Sequence, residues 1–261
     1  MKLRTYRITL QFLVFVVLNL GLVIGFYGFP LPYFYCHACP TAVGLCPVGA
    51  EQYAVIVNPI LLLYFFGAVF LIALIFGRAT CGWGCPVGTL QDLFALKTRH
   101  RELRDSVPRY AKFIIFGFTL LLSYIFMEKV FTDICPIGFL TATIPTLILM
   151  PGYVEPMSPF FEMKIALTVV FFILIYFVAR GWCRYICPLG AQLSLFNRFS
   201  IISIKLNREK CVKCSACQKR CPMGIDPQSQ TDSFECIRCG RCIEACQKKA
   251  LSYSLRWRNA H

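Results

Sequence analysis

The cysteines of this chain constrain its fold more than any other feature. Sixteen of the 261 residues are cysteines, and they fall into four sets of four. Two sets lie near the C-terminus, and each has the spacing C-x2-C-x2-C-x3-C. This spacing is typical of a domain with two 4Fe–4S clusters, because each cluster is bound by four thiolates. The ligands so predicted are Cys211, Cys214, Cys217, Cys221, Cys236, Cys239, Cys242 and Cys246.

The fourth cysteine of each run is expected to bind the other cluster. The two predicted sets are Cys211, Cys214, Cys217 and Cys246 for cluster 1, and Cys236, Cys239, Cys242 and Cys221 for cluster 2. A zinc site or a set of disulfides explains neither the doubled spacing nor the Cys-Pro step. Residues 201–261 are therefore predicted to form a small α+β two-cluster ferredoxin-like domain, with short strands at 201–206 and 251–255.

Long uncharged segments dominate the rest of the chain. Apolar residues make up 57% of the sequence, and the mean hydropathy is +0.61. A helix that crosses a bilayer needs about 20 apolar residues. The segments that approach or exceed this length are 8–29, 53–77, 113–127 and 165–179. They predict an all-α membrane domain of four transmembrane helices. Residues 139–150 contain Pro145 and are expected to form a re-entrant or interfacial piece.

Basic residues predict an orientation for these segments. Of the 27 Lys and Arg residues, only Lys129 and Lys164 lie outside the N-terminus, the 78–112 segment and the region from residue 180 onward. The positive-inside rule then places both termini in the cytoplasm of a prokaryotic cell, with a multi-pass chain in its inner membrane. The net charge of +14 suits anionic lipid headgroups, so no nucleic-acid partner is expected.

The predicted membrane domain contains an internal repeat. An R-x2-C-x3-C-P-x-G motif begins at Arg78 and again at Arg180, and a further C-P-x-G motif begins upstream at Cys46 and at Cys135. This pattern predicts two pseudo-symmetric helix pairs. The predicted boundaries are a domain of residues 1–200 with repeats at about 8–94 and 110–196.

The remaining eight cysteines form two further sets, called here the inner and outer quartets. The inner quartet is Cys81, Cys85, Cys183 and Cys187, and the outer quartet is Cys36, Cys39, Cys46 and Cys135. A proline in the first helical turn places the preceding cysteine near the N-cap, where the helix dipole favours a thiolate. The inner quartet can hold a cluster at the membrane edge, or it can be structural and line a quinone pocket. The outer quartet can hold a cluster or copper, or form disulfides such as Cys36–Cys46 with Cys39–Cys135.

Arg78 and Arg180 each precede an inner cysteine by three positions. They could neighbour a bound quinone or stabilise the charge of a cluster, or they could simply anchor the cytoplasmic face. The sequence contains no pattern of paired carboxylates, nucleophile with base, or phosphate-binding loop. Chemistry beyond electron transfer is therefore not expected.

These motifs resemble the NapH-type family of membrane quinol dehydrogenase subunits, which is related to the regulatory electron-transfer proteins of nitrous oxide respiration. The resemblance rests on the two inner motifs, the double ferredoxin run, Gly181-Trp182-Cys183 and the closing Arg256-Trp257. It implies a subunit that takes electrons from a quinol and passes them through iron–sulfur centres to a partner reductase. The outer quartet departs from the family pattern.

The sequence thus predicts a membrane-bound iron–sulfur electron-transfer subunit. It would connect a quinone pool or the outer site with a cytoplasmic or partner-subunit redox centre, within a larger membrane oxidoreductase complex. One alternative, favoured only by the outer quartet, is an assembly factor that reduces metal or thiols. The other is a redox-driven ion pump, which the lack of Asp and Glu at the centres of the predicted spans argues against.

Overall fold

Helices joined at Cys-Pro and Asn-Pro steps make up most of the structure. The computed structural model describes residues 3–20, 29–30, 33, 44–94, 108–149 and 161–256. In this part of the chain the longer helices are α1 (Leu3–Leu18), α2 (Pro47–Val57), α3 (Pro59–Phe76), α5 (Pro86–Phe94), α6 (Ala111–Phe126), α10 (Phe161–Phe177) and α12 (Pro188–Phe196). The shorter ones are α4 (Ala79–Trp83), α7 (Val130–Ile134), α8 (Pro136–Gly138), α9 (Ile144–Leu149), α11 (Gly181–Tyr185), α13 (Ala216–Lys219) and α14 (Arg241–Ala245).

Two small sheets accompany the helices. The strands β1 (Phe29–Pro30) and β2 (Gly44–Leu45) are parallel. The strands β3 (Ile202–Leu206) and β4 (Leu251–Leu255) are antiparallel, with Ile202 opposite Leu255. The strands that the sequence predicts at 201–206 and 251–255 are therefore confirmed.

Proline determines where several helices begin. The helices α2, α5, α8 and α12 all start at a proline that follows a cysteine. Proline suits the first helical position because its fixed φ is already helical and its missing N–H has no intrahelical partner there. The cysteines immediately before these prolines are Cys46, Cys85, Cys135 and Cys187. Each of these thiols therefore sits at the start of a helix.

The prediction of four transmembrane helices in two pseudo-symmetric pairs was wrong. Within the described residues, no helix combines the length and the hydrophobicity that crossing a bilayer requires. The uncharged run at 53–77 is divided, because α2 ends at Val57 and Asn58 caps a new helix by accepting a hydrogen bond from the Ile60 N–H at 2.9 Å. The run at 8–29 is helical only as far as Leu18 in the part described. The segments predicted at 113–127 and 165–179 lie in helices of 16 and 17 residues.

The helices pack around a core that contains cysteines as well as aliphatic side chains. Helix α2 packs against α3 and α6, and α12 packs against α3 and α6. The core between them includes Val69, Phe171 and Ile175, together with inner cysteines and Cys239 of the C-terminal region. The helical region and the predicted ferredoxin-like region therefore share one apolar core. In the apolar segment 139–150, a π-helical turn, Phe139–Thr143, leads into α9, and Pro145 lies in the first turn of α9.

Candidate metal centre

Four C-terminal cysteines line one cavity. They are Cys221, Cys236, Cys239 and Cys242, the four residues that the sequence assigns to cluster 2. The rest of the wall is mostly apolar and includes Ile204, Met223 and Ile237. Cys236, Cys239 and Cys242 are each 8% exposed. The segment after α13, the loop before α14 and α14 itself thus bring four thiols to a mostly apolar site.

The electrostatics of this cavity favour a cationic occupant. Burial, followed by the negative charges of neighbouring thiolates, raises the pKa of Cys236 to about 12 and raises that of Cys242 further. Burial and Cys239 also raise the pKa of Cys221. Buried thiolates that repel one another need a positive charge between them. The donor set therefore fits an iron–sulfur cluster, in which each thiolate binds a different iron atom.

The residues assigned to cluster 1 are less closely gathered. Cys217 is buried and shares a small core with Cys246. The Cys217 Sγ accepts a hydrogen bond from the Gln228 amide at 3.8 Å, and the Cys246 Sγ accepts one from the Ala250 N–H at 3.2 Å. Cys211 is half-buried and Cys214 is exposed. The structure brings two of the four thiols into one core and leaves the other two at its edge.

The inner quartet is gathered at the junction of the two repeats. Its four cysteines are between 6% and 8% exposed. Burial, followed by Cys183, Cys81 and Cys85, raises the pKa of Cys187. The Cys187 Sγ accepts a hydrogen bond from the Gly190 N–H at 3.3 Å, and the Cys183 Sγ accepts one from Gln91 at 3.1 Å. The Gln91 hydrogen bond joins the first repeat to Cys183 of the second, and Cys81, Cys85 and Cys187 share one apolar core.

Arg78 and Arg180 cross between the repeats. The Arg78 Nη2 donates to the Cys183 carbonyl at 3.0 Å, and the Arg180 Nη1 donates to the Cys81 carbonyl at 2.8 Å. Both side chains are completely buried. Each repeat therefore supplies an arginine that fixes the backbone of a cysteine in the other repeat, and both guanidinium charges lie beside the inner thiols.

Each arginine has a different acidic partner. Asp92 of α5 accepts two hydrogen bonds from Arg180, at 3.0 Å from Nε and 2.7 Å from Nη2. Glu235 accepts one from Arg78 at 2.8 Å and another from Lys112. Burial opposes both carboxylates, but the neighbouring cations hold the pKa of each below its ordinary value. The two arginines occupy equivalent positions in the repeated motif, but the carboxylates that neutralise them do not.

The inner quartet abuts the loop that carries Cys236 and Cys239. A Cβ added at Gly82 would lie 2.3 Å from the Ile237 carbonyl oxygen and 3.4 Å from the Cys239 Cα. The Trp83 indole N–H donates to the Arg238 carbonyl at 3.0 Å, and the Tyr253 hydroxyl donates to the same carbonyl at 2.8 Å. Only a glycine permits this approach, which places α4 directly against the C-terminal cysteine loop.

Two residues of the outer quartet lie in the described part of the chain. Cys46 and Cys135 are N-cap residues of α2 and α8, and both are buried in the same core as Cys81, Cys85 and Cys187. Cys36 and Cys39 lie outside the described residues. The disulfide, copper and cluster alternatives for this quartet therefore all remain predictions.

A large cavity lies beside the inner quartet. Its volume is about 770 Å³, and Tyr33, Ile72, Thr80 and Trp83 line part of its mainly apolar wall. Burial, followed by Cys85 and Cys81, raises the pKa of Tyr33. A Cβ added at Gly84, the residue before Cys85, would lie 2.4 Å from the Tyr33 ring, so this wall of the cavity is close to an inner cysteine.

Sequence reasoning missed the acidic residues of the site. Glu51 is fully buried in α2, and its Oε2 accepts a hydrogen bond from Gln192 of α12. Asp92 and Glu235 neutralise the buried arginines. Glu51 could have been noticed because it is the one charged residue between two long uncharged segments. The sequence around Asp92 and Glu235 contains no pattern that indicates their pairing with Arg180 and Arg78.

The described thiols do not form a site for a single ion. Within the described ranges, no three His, Cys, Asp or Glu side chains are placed to bind one metal ion together. Thiols that surround a cavity, with a different iron atom for each, fit a cluster better than a zinc site.

Comparisons with known proteins support the binding of iron–sulfur clusters. The family described as "4Fe-4S binding domain" matches residues 58–103 and 163–209, and the "4Fe-4S dicluster domain" matches 203–247. Each of the two segments that match the first family, 58–103 and 163–209, contains one inner C-x3-C-P motif. No solved structure matches the chain.

Several curated proteins are similar over most of the chain. An uncharacterized protein of Methanocaldococcus jannaschii is 34% identical over 197 residues, which are 71% of this chain and 76% of that protein. The ferredoxin-type protein NapH of Escherichia coli is 26% identical over 69% of this chain and 63% of NapH. The regulatory protein NosR of Stutzerimonas stutzeri is 28% identical over 65% of this chain and 23% of NosR. The chain therefore belongs to the NapH-type family and is an iron–sulfur electron-transfer protein.

Proposed function

We propose that this protein carries single electrons between a quinone and a partner redox protein. The observation that carries the proposal is the contact of Gly82 with the Ile237 carbonyl and Cys239. It joins the inner quartet to the loop of cluster 2, and both belong to one apolar core. When bound, iron–sulfur clusters supply one-electron redox chemistry. We propose that clusters occupy both ferredoxin sets and the inner quartet.

The buried arginines around the inner quartet would compensate the negative charge of a cluster bound there. An iron–sulfur cluster with four thiolates is anionic, and a buried anion is costly without compensating charge. Arg78 and Arg180 supply positive charge at fixed positions, because both are fully buried and anchored by carboxylates. They also hold the Cys81 and Cys183 backbones still. We infer that this rigid arrangement limits the reorganisation that accompanies electron transfer.

The cavity beside Tyr33 suits a quinone. A volume of about 770 Å³ falls within the range of small-molecule sites, which are mostly apolar with a few polar groups. Tyr33 and Thr80 bring hydroxyl groups to the wall. A quinone ring bound there would adjoin the inner quartet and could exchange electrons with it.

We further propose that the protein acts at the inner face of the cytoplasmic membrane, with both termini in the cytoplasm. Large apolar side chains are exposed on several helices, including Ile60, Leu63 and Ile114 at 73% or more. Lipid or other subunits of an oxidoreductase complex would cover these side chains, and the basic residues would face anionic headgroups.

Quinol-dependent reduction of the anaerobic, iron-loaded protein tests the proposal. A water-soluble quinol should bleach the iron–sulfur absorption of the native protein. Ile72→Trp places a bulky ring in the cavity and should slow this bleaching at least tenfold, while reduction by dithionite stays unchanged. Ile75→Trp is the matched control, because Ile75 is 45% exposed on the same helix. Equal rates in the two variants would contradict the quinone site, and no reduction by either donor would contradict electron transfer.

A further inference from the structure

A buried acid–amide pair joins helices α2 and α12. Glu51 and Gln192 are 0% and 1% exposed, and the Gln192 amide nitrogen donates to the Glu51 Oε2. Glu51 stands five positions after Cys46 in the chain, and Gln192 stands five positions after Cys187. Each is therefore roughly 7.5 Å along its helix from a cysteine that begins that helix. The pair joins the two helices that start at an outer and at an inner cysteine.

One missing proton explains the unpartnered atoms of this pair. The Glu51 Oε1 and the Gln192 Oε1 are both buried acceptors without a hydrogen-bond partner among the described residues. An acceptor oxygen cannot satisfy another acceptor oxygen without a proton between them. A proton on the Glu51 Oε1 would donate to the Gln192 Oε1, and the amide would still donate to Oε2. A carboxylic acid and a primary amide then form a closed pair of hydrogen bonds, which leaves neither oxygen unsatisfied.

In the part of the chain that the structure describes, no fixed cation competes for this proton. None of the ion pairs among the described residues includes Glu51. Helix α2 packs against α3, α6, α7 and α12. The titratable groups on these helices are Tyr64 and Tyr124, which are exposed, Asp133, which is half-buried, and Lys112, which donates to Glu235. Burial is accordingly the main influence on Glu51, and it raises the pKa of the carboxyl to about 8.

We propose that Glu51 is a proton-accepting site coupled to electron transfer through the neighbouring cysteine sites. The inference rests on the proposed electron transfer and adds a proton to it. When a one-electron donor reduces the chain, negative charge is added to the core. In alkaline solution, where the resting Glu51 carboxyl has lost its proton, a proton from bulk water then forms an O–H bond at the carboxylate. When the electron leaves for the oxidant, that bond breaks and the proton returns to water. One electron and at most one proton therefore move together.

Infrared spectroscopy of the resting protein tests the acid–amide pair without any redox step. The native protein should have a carboxylic C=O band at pH 7 that shifts in D₂O and disappears by pH 10. Glu51→Gln should remove the band, whereas Glu162→Gln should retain it, because Glu162 is exposed on α10. Gln192→Met keeps the acid but removes its amide partner, so the band should move to higher frequency. A resting protein without this band would overturn the proposal.

A redox titration against pH tests the coupling. The midpoint potential of the native, iron-loaded protein should fall as pH rises above about 8, and in Glu51→Gln it should stay constant over that range. Glu162→Gln should behave as the native protein. Native and Glu51→Gln potentials with the same pH dependence would overturn the coupling. A protein that no donor reduces would contradict the proposed electron transfer and with it the coupling, while the resting band would still report on the pair.

Discussion

Asp92 joins three parts of the chain through one carboxylate. Its Oδ2 lies 2.7 Å from Arg180 of the second repeat, 2.9 Å from Arg241 of the C-terminal region and 4.0 Å from Arg7 of α1. The side chain of Asp92 is 12% exposed and that of Arg180 is fully buried. Removing the single negative charge would leave three arginines facing one another without compensation.

The substitution Asp92→Asn keeps the shape but removes this charge. Breaking a buried charge pair costs about 3–5 kcal/mol, because the remaining partner stays buried and unpaired. With a guanidinium chloride dependence of about 4 kcal/mol per molar, the midpoint of unfolding should fall by roughly 1 M. Tryptophan fluorescence of the anaerobic protein in increasing denaturant measures this shift.

An exposed ion pair provides the matched control. Asp232 and Arg256 are 2.5 Å apart, with side chains 54% and 34% exposed. Asp232→Asn should cost at most about 1 kcal/mol, because solvent screens such pairs. The neighbouring arginines lower the pKa of Asp92, so its stabilisation is present at neutral pH and is lost as pH falls through the lowered value. Equal midpoints for Asp92→Asn and Asp232→Asn at pH 7 would refute the reasoning.

Three further outcomes are expected. Gly82→Ala should destabilise the protein by about 1–3 kcal/mol and reduce its bound iron, because the new Cβ would meet the Ile237 carbonyl at 2.3 Å. Gly117→Ala, whose Cβ would meet none of the described residues within 4 Å, should be neutral or stabilising in the same denaturation and iron assays. Between pH 4.5 and about 8 only the folded state holds the proton of Glu51, so the free energy of unfolding should fall by about 5 kcal/mol as pH rises across this range, at 1.36 kcal/mol per pKa unit. Glu51→Gln should abolish this dependence on pH. An unchanged dependence in the variant would contradict the raised pKa of Glu51. Trp83→Phe should lower the free energy of unfolding by about 1 kcal/mol in a denaturation experiment, because the Arg238 carbonyl loses its indole donor but keeps the Tyr253 hydroxyl. A loss above 3 kcal/mol would contradict the view that the indole contributes only this hydrogen bond.

The cysteine spacing carried most of what the sequence could predict. The ferredoxin runs and the repeated inner motif are local patterns, so their ligands can be named from the sequence alone. The strands β3 and β4 were also predictable, because each is a short apolar-alternating segment beside a cysteine run. Cys221 lines one cavity with Cys236, Cys239 and Cys242 of the other run, and the exchange of fourth cysteines between the two clusters stays a prediction.

The helix lengths were not predictable from hydrophobicity. Residues 53–77 are uncharged throughout, and a count of apolar residues treats them as one helix. The Asn58-Pro59 step divides them, because Asn58 turns its side chain to the Ile60 N–H and Pro59 starts a new helix. The Asn58 cap and the proline after it therefore end one helix and begin another within a continuous apolar segment.

The counter-charges of the site also lay beyond the sequence. Arg78 and Arg180 occupy equivalent positions in the repeat, yet Asp92 pairs with one and Glu235 with the other. These contacts join residues 157 and 88 positions apart, and long-range pairs leave no local signal. The repeat therefore predicted where the arginines lie but not what neutralises them.

Iron and acid-labile sulfide quantification on the anaerobically purified protein tests most directly whether the inner quartet holds a cluster in addition to the two ferredoxin sets. With four iron atoms in each of these three sites, the native protein should contain at least about twelve iron atoms per chain. Cys183→Ser removes an inner ligand and should lose about four of these atoms. The ferredoxin signals should remain in its electron paramagnetic resonance spectrum. About eight iron atoms in both the native protein and the variant would contradict the inner cluster and the electron path built on it.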